Sequence, residues 1–250
     1  MVRVVLSVFL ALVVAPSPGL AYEEVVVKDG GTITGIVRFA GTPPKPETIA
    51  VTRDVDVCGD DRPSEALVVG ADRGVKDSVV VIKGVARGKR ATGDVTIDNN
   101  KCTFVGRVTA VGPGDRVRVK NSDPILHHVR GLAGSADVFN LALPTKEQMI
   151  DITRRLTTPG VVRVLCDTHR HMAGWLVVHD SPYHAVTDER GAFRIDGVPP
   201  GTYAIAMWHE GYRRKGVTKD GRPLYGAPVT VTREVTVAPN GAATIDFELR

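Results

Sequence analysis

Short apolar or alternating runs recur along the whole chain, and turn-forming residues separate one run from the next. The clearest runs are residues 32–39, 79–82, 116–120, 161–165 and 244–249. A period of two puts every second side chain on the same face of a strand, and Gly, Pro, Asn and Asp favour the turns between strands. This pattern predicts an all-β protein with a sandwich or barrel architecture. Residues 146–156 are ambiguous, because Met149, Ile150 and Ile152 fit either a strand or a helix.

The first 21 residues have a different pattern, which is typical of a secretory signal. Arg3 gives a positive start, residues 4–14 are apolar, and small residues at 19–21 precede a cleavage site. The apolar run is shorter than the roughly 20 residues that a membrane-spanning helix needs. We therefore predict a signal peptide at 1–21 and an exported protein, periplasmic or extracellular, without a membrane span after cleavage. The alternative is an uncleaved membrane anchor.

The charge balance says little about partners. The formal net charge is +4 at pH 7, and the basic residues are spread along the chain. A nucleic-acid-binding protein would concentrate them on one face, so we expect no nucleic-acid partner. Two small basic groups, at residues 87–90 and 213–219, could steer an acidic redox partner.

The run Cys-Asp-Thr-His-Arg-His-Met, which begins at Cys166, concentrates the metal-binding chemistry of the chain. Its thiolate and the thioether of Met172 suit Cu(I), and the imidazole of His169 suits Cu(II). A second imidazole would complete the donor set of a blue-copper electron-transfer site. His127 and His128 could supply it, and alternation along a strand lets only one of them point inward.

The spacing Cys-x2-His-x2-Met, preceded by a Pro-x-x-His-[Asn/His]-Val strand, resembles the cupredoxin family, and the loop length resembles its amicyanin-like branch. The resemblance covers residues 93–180 and implies a Greek-key cupredoxin sandwich that holds one type 1 copper ion. It implies the metal ligands His127, Cys166, His169 and Met172. It also implies that His169 lies near the surface and is the exit for the electron.

Three other assignments within this motif stay open. The residue after the first histidine is usually asparagine in the family and is His128 here, so the choice of His127 rests on the family match. His171 is a rival ligand, although the longer spacing of some cupredoxins needs a methionine where this chain has Trp175. Met172 could be core packing rather than an axial ligand. A structural zinc site would favour a closed Cys/His tetrad over a set with a thioether.

The chain has three cysteines, and an odd number in an exported protein leaves one thiol to explain. Cys58 and Cys102 lie in polar turns, whereas Cys166 ends an apolar strand. Alternation puts Cys166 on the same inward face as Val162 and Val164. We predict a Cys58–Cys102 disulfide with Cys166 kept for the metal. The alternative is that Cys166 is an inert buried thiol.

Two turn motifs mark the C-terminal part of the chain. Thr-Asp-x-x-Gly-x-Phe at 187–193 and Pro-Pro-Gly-x-Tyr at 199–203 resemble the carboxypeptidase regulatory-like, transthyretin-like β-sandwich module. Residues 181–250 are few for a sandwich that stands alone. We therefore expect the N-terminal β segment, 22–92, to pair with this module, and the copper domain to be inserted between them. A simple tandem arrangement is the alternative.

These patterns predict an exported mononuclear type 1 copper protein that carries single electrons between redox partners, such as a cytochrome or an oxidoreductase. We expect no enzymatic activity. Cys166 beside a histidine could mimic a thiol nucleophile, but it faces the sandwich interior, and no phosphate-binding glycine loop is present. The alternatives are a copper carrier without redox cycling and a non-metal interaction module.

Overall fold

The structure is a computed structural model that describes residues 22–250, so the predicted signal peptide lies outside it. The strands are β1 (Glu23–Glu24), β2 (Gly31–Phe39), β3 (Thr48–Ile49), β4 (Arg62–Pro63), β5 (Val79–Ile82), β6 (Arg87–Gly88), β7 (Asp94–Asn100), β8 (Thr103–Val105), β9 (Val108–Val111), β10 (Arg116–Asn121), β11 (His127–Ala133), β12 (Ala136–Leu143), β13 (Met149–Asp151), β14 (Gly160–Cys166), β15 (Ala173–Val178), β16 (His184–Val186), β17 (Ala192–Val198), β18 (Gly201–His209), β19 (Arg214–Val217), β20 (Pro223–Tyr225), β21 (Val229–Val237), β22 (Ala242–Thr244) and β23 (Phe247–Leu249).

Helical structure in the described residues is short. It comprises one four-residue helix, α1 (Val55–Cys58), and the 3-10 turns Ala71–Arg73 and Thr153–Arg155. Within residues 22–250 no helix has the length and apolar character needed to cross a membrane. The ambiguous stretch 146–156 forms strand β13 and then the second 3-10 turn. The all-β fold class is thus confirmed.

The first sandwich comes from the middle of the chain. One sheet has the strand order β13-β10-β7-β8, and the other has the order β12-β11-β14-β15-β9. Their inward side chains, such as Val119 and Leu176, form one buried apolar core. Along β14, Val162, Val164 and Cys166 are all buried in this core. The alternation of β14 therefore turns the thiol inward, as predicted.

The second sandwich is built from both ends of the chain. One sheet has the order β16-β5-β18-β21, and the other has the order β17-β2-β22, with β23 also paired to β2. Strands β2 and β5 precede the first sandwich in sequence, yet each lies between C-terminal strands. This pairing is the one that the insertion hypothesis expects. The domain bounds 22–92, 93–180 and 181–250 stay a prediction.

Gly35, in the middle of β2, shows why this strand fits between its neighbours. A Cβ atom at this position would lie 1.8 Å from the carbonyl oxygen of Ile245 and 2.7 Å from the ring of Phe193. Only a residue without a side chain allows such a close approach of backbone and ring. The N-terminal strand is therefore shaped to receive C-terminal residues.

The Thr-Asp-x-x-Gly-x-Phe motif forms the tight turn between β16 and β17. The carboxylate of Asp188 accepts the backbone N–H groups of Arg190 and Ala192, both at 2.9 Å. Gly191 has a φ of 73°, a left-handed conformation that glycine adopts without steric cost. A Cβ atom on Gly191 would also lie 2.3 Å from the carbonyl oxygen of Val37. The motif thus encodes a turn that packs against β2.

The two sandwiches pack sheet against sheet. The buried apolar residues of this contact are Val79, Val81, Val108, Ala110, Val177 and Ala206. Trp175 and Trp208 meet across it edge to face, with ring centroids 5.6 Å apart. The five-stranded sheet of the first sandwich is therefore covered on both faces, so residues that point outward from β14 and β15 face the second sandwich.

A fragment that starts at Gly93 should fail to fold, because it lacks β2 and β5. The core residues Phe193, Ile195 and Met207 would lose their partner strands and be exposed. We expect this fragment to aggregate, whereas a 22–250 control stays monodisperse, as measured by size-exclusion chromatography and thermal unfolding. A soluble 93–250 fragment with one cooperative transition would contradict the pairing and favour a tandem arrangement.

Candidate metal centre

The four predicted ligands come from two neighbouring strands and the loop between β14 and β15. His127 opens β11 and Cys166 ends β14, and these strands are antiparallel neighbours. His169 and Met172 lie on the loop that follows Cys166. All four side chains are buried in the first sandwich, at 2% exposure or less.

Three of these side chains converge with their donor atoms facing one another. The Sγ atom of Cys166 lies 3.7 Å from Nδ1 of His127 and 3.6 Å from Nδ1 of His169, and the two Nδ1 atoms are 3.2 Å apart. The point at equal distance from the three atoms is about 2.0 Å from each of them. Zinc, for comparison, lies about 2.0–2.1 Å from imidazole nitrogen and about 2.3 Å from thiolate sulfur. The triangle formed by Sγ of Cys166, Nδ1 of His127 and Nδ1 of His169 therefore has the size of the ligand set around a metal ion.

Each imidazole is oriented by a carboxylate on its far side. Nε2 of His127 lies 2.9 Å from Oδ2 of Asp123, and Nε2 of His169 lies 2.9 Å from Oδ2 of Asp54. Metal-binding histidines usually donate their other ring N–H to such a group, which fixes the tautomer and the ring orientation. With the proton on Nε2, both Nδ1 atoms present lone pairs to the centre of the triangle.

Burial sets the protonation of the three groups. It lowers the pKa of His127 and of His169, and the carboxylates only partly oppose this. Both imidazoles are therefore neutral near pH 7, as metal ligands must be. Burial raises the pKa of the Cys166 thiol, so metal binding must release a proton from it.

Two other histidines of the motif lie outside the triangle. His128 is half-buried on the opposite face of β11. His171 is directed to the disulfide region, where its Nε2 lies 3.1 Å from the carbonyl oxygen of Cys102. Burial beside Arg62 lowers the pKa of His171 to about 4. The structure thus brings His127 and His169 to the thiol, and leaves His128 and His171 aside.

Met172 completes a compact ligand loop. Its backbone N–H donates to the carbonyl of His169 at 3.0 Å, and its carbonyl accepts the N–H of Cys166 at 3.4 Å. Its side chain is buried in the core of the first sandwich. Both predicted roles, axial ligand and core packing, need this burial, so the ligand role of Met172 stays a prediction.

His169 lies just beneath the surface, because the partly exposed carboxylate of Asp54 is 2.9 Å from its Nε2, and its role as the exit for the electron stays a prediction. Its side chain has no exposed area, because Asp54, just before α1, covers its Nε2. This covering segment is held in place by the Cys58–Cys102 disulfide. The disulfide itself was predicted from the turn positions of its cysteines and is confirmed, with Cys166 as the free thiol of the described residues.

Arg222 was not predicted from the sequence, and it reaches the ligand loop from the turn between β19 and β20. Its Nη2 donates to the carbonyl of Cys166 at 2.8 Å and to the carboxylate of Asp167 at 3.0 Å. Its Nη1 donates to the carbonyl of Arg170 at 3.3 Å. A single arginine in an Asp-Gly-Arg-Pro turn gives no sequence signal for such a role.

The donor set decides which metals fit. One thiolate with two imidazoles is the trigonal set of blue-copper sites, in which a thioether is a weak axial ligand. The buried His/Cys cluster of this chain has that composition. The residues present therefore fit copper.

Comparison with solved structures returns copper proteins. The chain is similar to a copper-containing nitrite reductase from Thermus scotoductus SA-01, with 21% identity and a TM-score of 0.30 over 34% of this chain and 22% of the reductase. It is similar to an oxidised amicyanin variant, with 26% identity and a TM-score of 0.29 over 40% of this chain and 98% of amicyanin. A Cu(I) amicyanin variant gives 24% identity with the same TM-score and coverage.

Comparison with curated proteins gives no match. Comparison with protein families matches residues 161–250 to the carboxypeptidase regulatory-like domain. The match begins inside β14, ahead of the bound predicted at residue 181. Residues 161–250 are thus similar to the carboxypeptidase regulatory-like domain, as the turn motifs indicated.

Proposed function

We propose that this chain is an exported mononuclear type 1 copper protein that carries single electrons between redox partners, such as a cytochrome or an oxidoreductase. The observation that supports this most is the buried triangle of Cys166 Sγ, His127 Nδ1 and His169 Nδ1. Met172 would be the weak axial ligand. When bound, copper would supply a one-electron Cu(I)/Cu(II) couple.

Contacts from other parts of the chain fix the positions of the ligands. Asp123 and Asp54 fix the two imidazoles, and Arg222 binds the backbone carbonyl of Cys166 and that of Arg170 in the ligand loop. A cluster that is braced from several elements keeps one geometry in both oxidation states, which favours electron transfer. Burial of Cys166 and both imidazoles also keeps water from the fourth position.

The burial of the ligands favours an electron carrier over a copper carrier. Hand-over of an ion needs ligands that a partner can reach, and His127 and His169 have no exposed area. Electrons need no such contact, since they can leave through the packed residues around the site. Reversible voltammetry of the copper-loaded protein tests this, because an electron carrier must hold both Cu(I) and Cu(II) and cycle between them without loss of the ion.

The interaction-module hypothesis is the second candidate. It is favoured by the match of residues 161–250 to the carboxypeptidase regulatory-like domain. The two functions are compatible, because the second sandwich could position the first beside a partner.

Met172→Gln should leave copper bound and lower its reduction potential. A hard amide oxygen in the axial position favours Cu(II) over Cu(I) relative to a thioether. Met149→Gln is the matched control, because Met149 is exposed at 42% on β13 and should leave the potential unchanged. Voltammetry on the two variants makes the comparison. An unchanged reduction potential in Met172→Gln would mean that Met172 packs in the core and is not an axial ligand.

A further inference from the structure

A cavity of about 230 Å³ lies between the two sandwiches, beside the ligand loop. Arg163 of β14 and Trp175 of β15 point into this interface, opposite the core face of their strands. The same wall includes Met172 from the ligand loop, and Phe104 and Leu224 add apolar surface. The cavity therefore joins charged and apolar walls next to the candidate metal centre.

The lining has more positive than negative charge. Its charged residues are Arg62, Arg107, Arg163, Arg170 and Arg222 against Glu65 and Glu210. Arg107 is paired with Glu210, and Arg170 and Arg222 both pair with Asp220. Three of the five arginines are thus neutralised by carboxylates of the protein. Among the described residues, Arg62 and Arg163 have no such partner, and Arg62 donates instead to backbone carbonyls.

Arg163 has no ion pair and no side-chain hydrogen bond among residues 22–250. Its Nε atom is buried without a partner, and so is Nε1 of Trp175. The guanidinium lies over the Trp175 ring, 5.8 Å from the centroid. Burial, with Arg222 nearby, lowers the pKa of Arg163. A buried donor without an acceptor is costly, so two such donors on one wall indicate a missing acceptor.

We infer that this cavity binds a small organic carboxylate, with its oxygens on Arg163 and the Trp175 indole N–H and its apolar body against Phe104 and Leu224. The planar guanidinium fork matches a carboxylate and forms two charge-assisted hydrogen bonds with it. The apolar wall favours an organic anion over an inorganic one, because ligand cavities combine apolar surface with a few orienting polar groups. This inference does not depend on the metal.

Isothermal titration of the full chain tests the inference, with benzoate as the probe. We expect benzoate to bind, inorganic phosphate to bind more weakly, and benzylamine, a cation of similar shape, not to bind. Arg163→Gln should weaken benzoate binding by about tenfold or more, because it removes the charge and the paired hydrogen bonds of the guanidinium. Arg154→Gln is the control, since Arg154 is exposed and does not line the cavity.

Two further variants guard against a folding defect. Trp175→Phe keeps an aromatic ring and removes the indole N–H, and Arg163→Lys keeps the charge and removes the planar fork. Both should weaken benzoate binding, while thermal unfolding stays close to that of the parent. Absence of benzoate binding, equal binding of benzylamine, or full affinity in Arg163→Gln would overturn the inference.

Discussion

Cys166→Ser is expected to remove the intense visible charge-transfer band of the copper-loaded protein altogether. The band arises from charge transfer from a thiolate to Cu(II), and the lone pairs of a serine oxygen are too low in energy to give such a band in the visible. Cys166 supplies the one sulfur atom of the buried triangle. Serine has nearly the same shape, so the fold should be retained. An absorption spectrum of the copper-loaded variant, recorded beside that of the parent, measures the loss.

The two adjacent histidines of β11 provide the matched control for this result. His127→Ala should weaken or recolour the site, because it opens the triangle to water. His128→Ala should leave the spectrum nearly unchanged, since its side chain is on the other face of the strand. If His128→Ala abolishes the band and His127→Ala spares it, the choice within the pair is wrong.

Arg107→Met should cause a large loss of stability without touching the metal centre. Arg107 and Glu210 form an ion pair between the sandwiches, with side-chain exposures of 11% and 6%. Burial alone would lower the pKa of Arg107, yet the contact with Glu210 raises it above the ordinary value. Removal of the guanidinium leaves the carboxylate buried and uncompensated, which costs about 3–5 kcal/mol. Denaturant unfolding of the apo-protein measures the change.

Two controls separate the buried charge from loss of side-chain packing. Arg107→Met combined with Glu210→Gln removes both charges and should recover much of the lost stability. Arg130→Met breaks an exposed pair with Asp137, and we expect little or no change from it because such pairs are screened by solvent. A small effect of Arg107→Met would show that the sandwiches do not depend on this pair.

The features that sequence predicted are those set by local patterns. Alternation along β14 predicted that Cys166 points inward with Val162 and Val164, because every second side chain of a strand lies on the same face. The turn positions of Cys58 and Cys102 left them free to form the disulfide. The Cys-x2-His-x2-Met spacing that indicated the ligand loop is likewise contained in seven adjacent residues, from Cys166 to Met172.

The features that it missed depend on contacts between distant parts of the chain. Asp54 lies 115 positions from His169, and Arg222 lies 56 positions from Cys166. Neither residue stands in a motif, and an aspartate or arginine in a polar turn is usually solvated. The complete burial of the His169 side chain follows from this packing, which no local pattern in the sequence indicates.

The visible spectrum of the wild-type protein loaded with Cu(II) is the decisive test of the blue-copper proposal. We expect one copper ion per chain and an intense thiolate-to-copper charge-transfer band, because Cys166, His127 and His169 present a buried trigonal donor set. Titration of Cu(II) into the apo-protein should make the band rise to one equivalent and then stop. A protein that binds Cu(II) without any such band, or that binds none, would contradict the blue-copper proposal and leave the interaction module in its place.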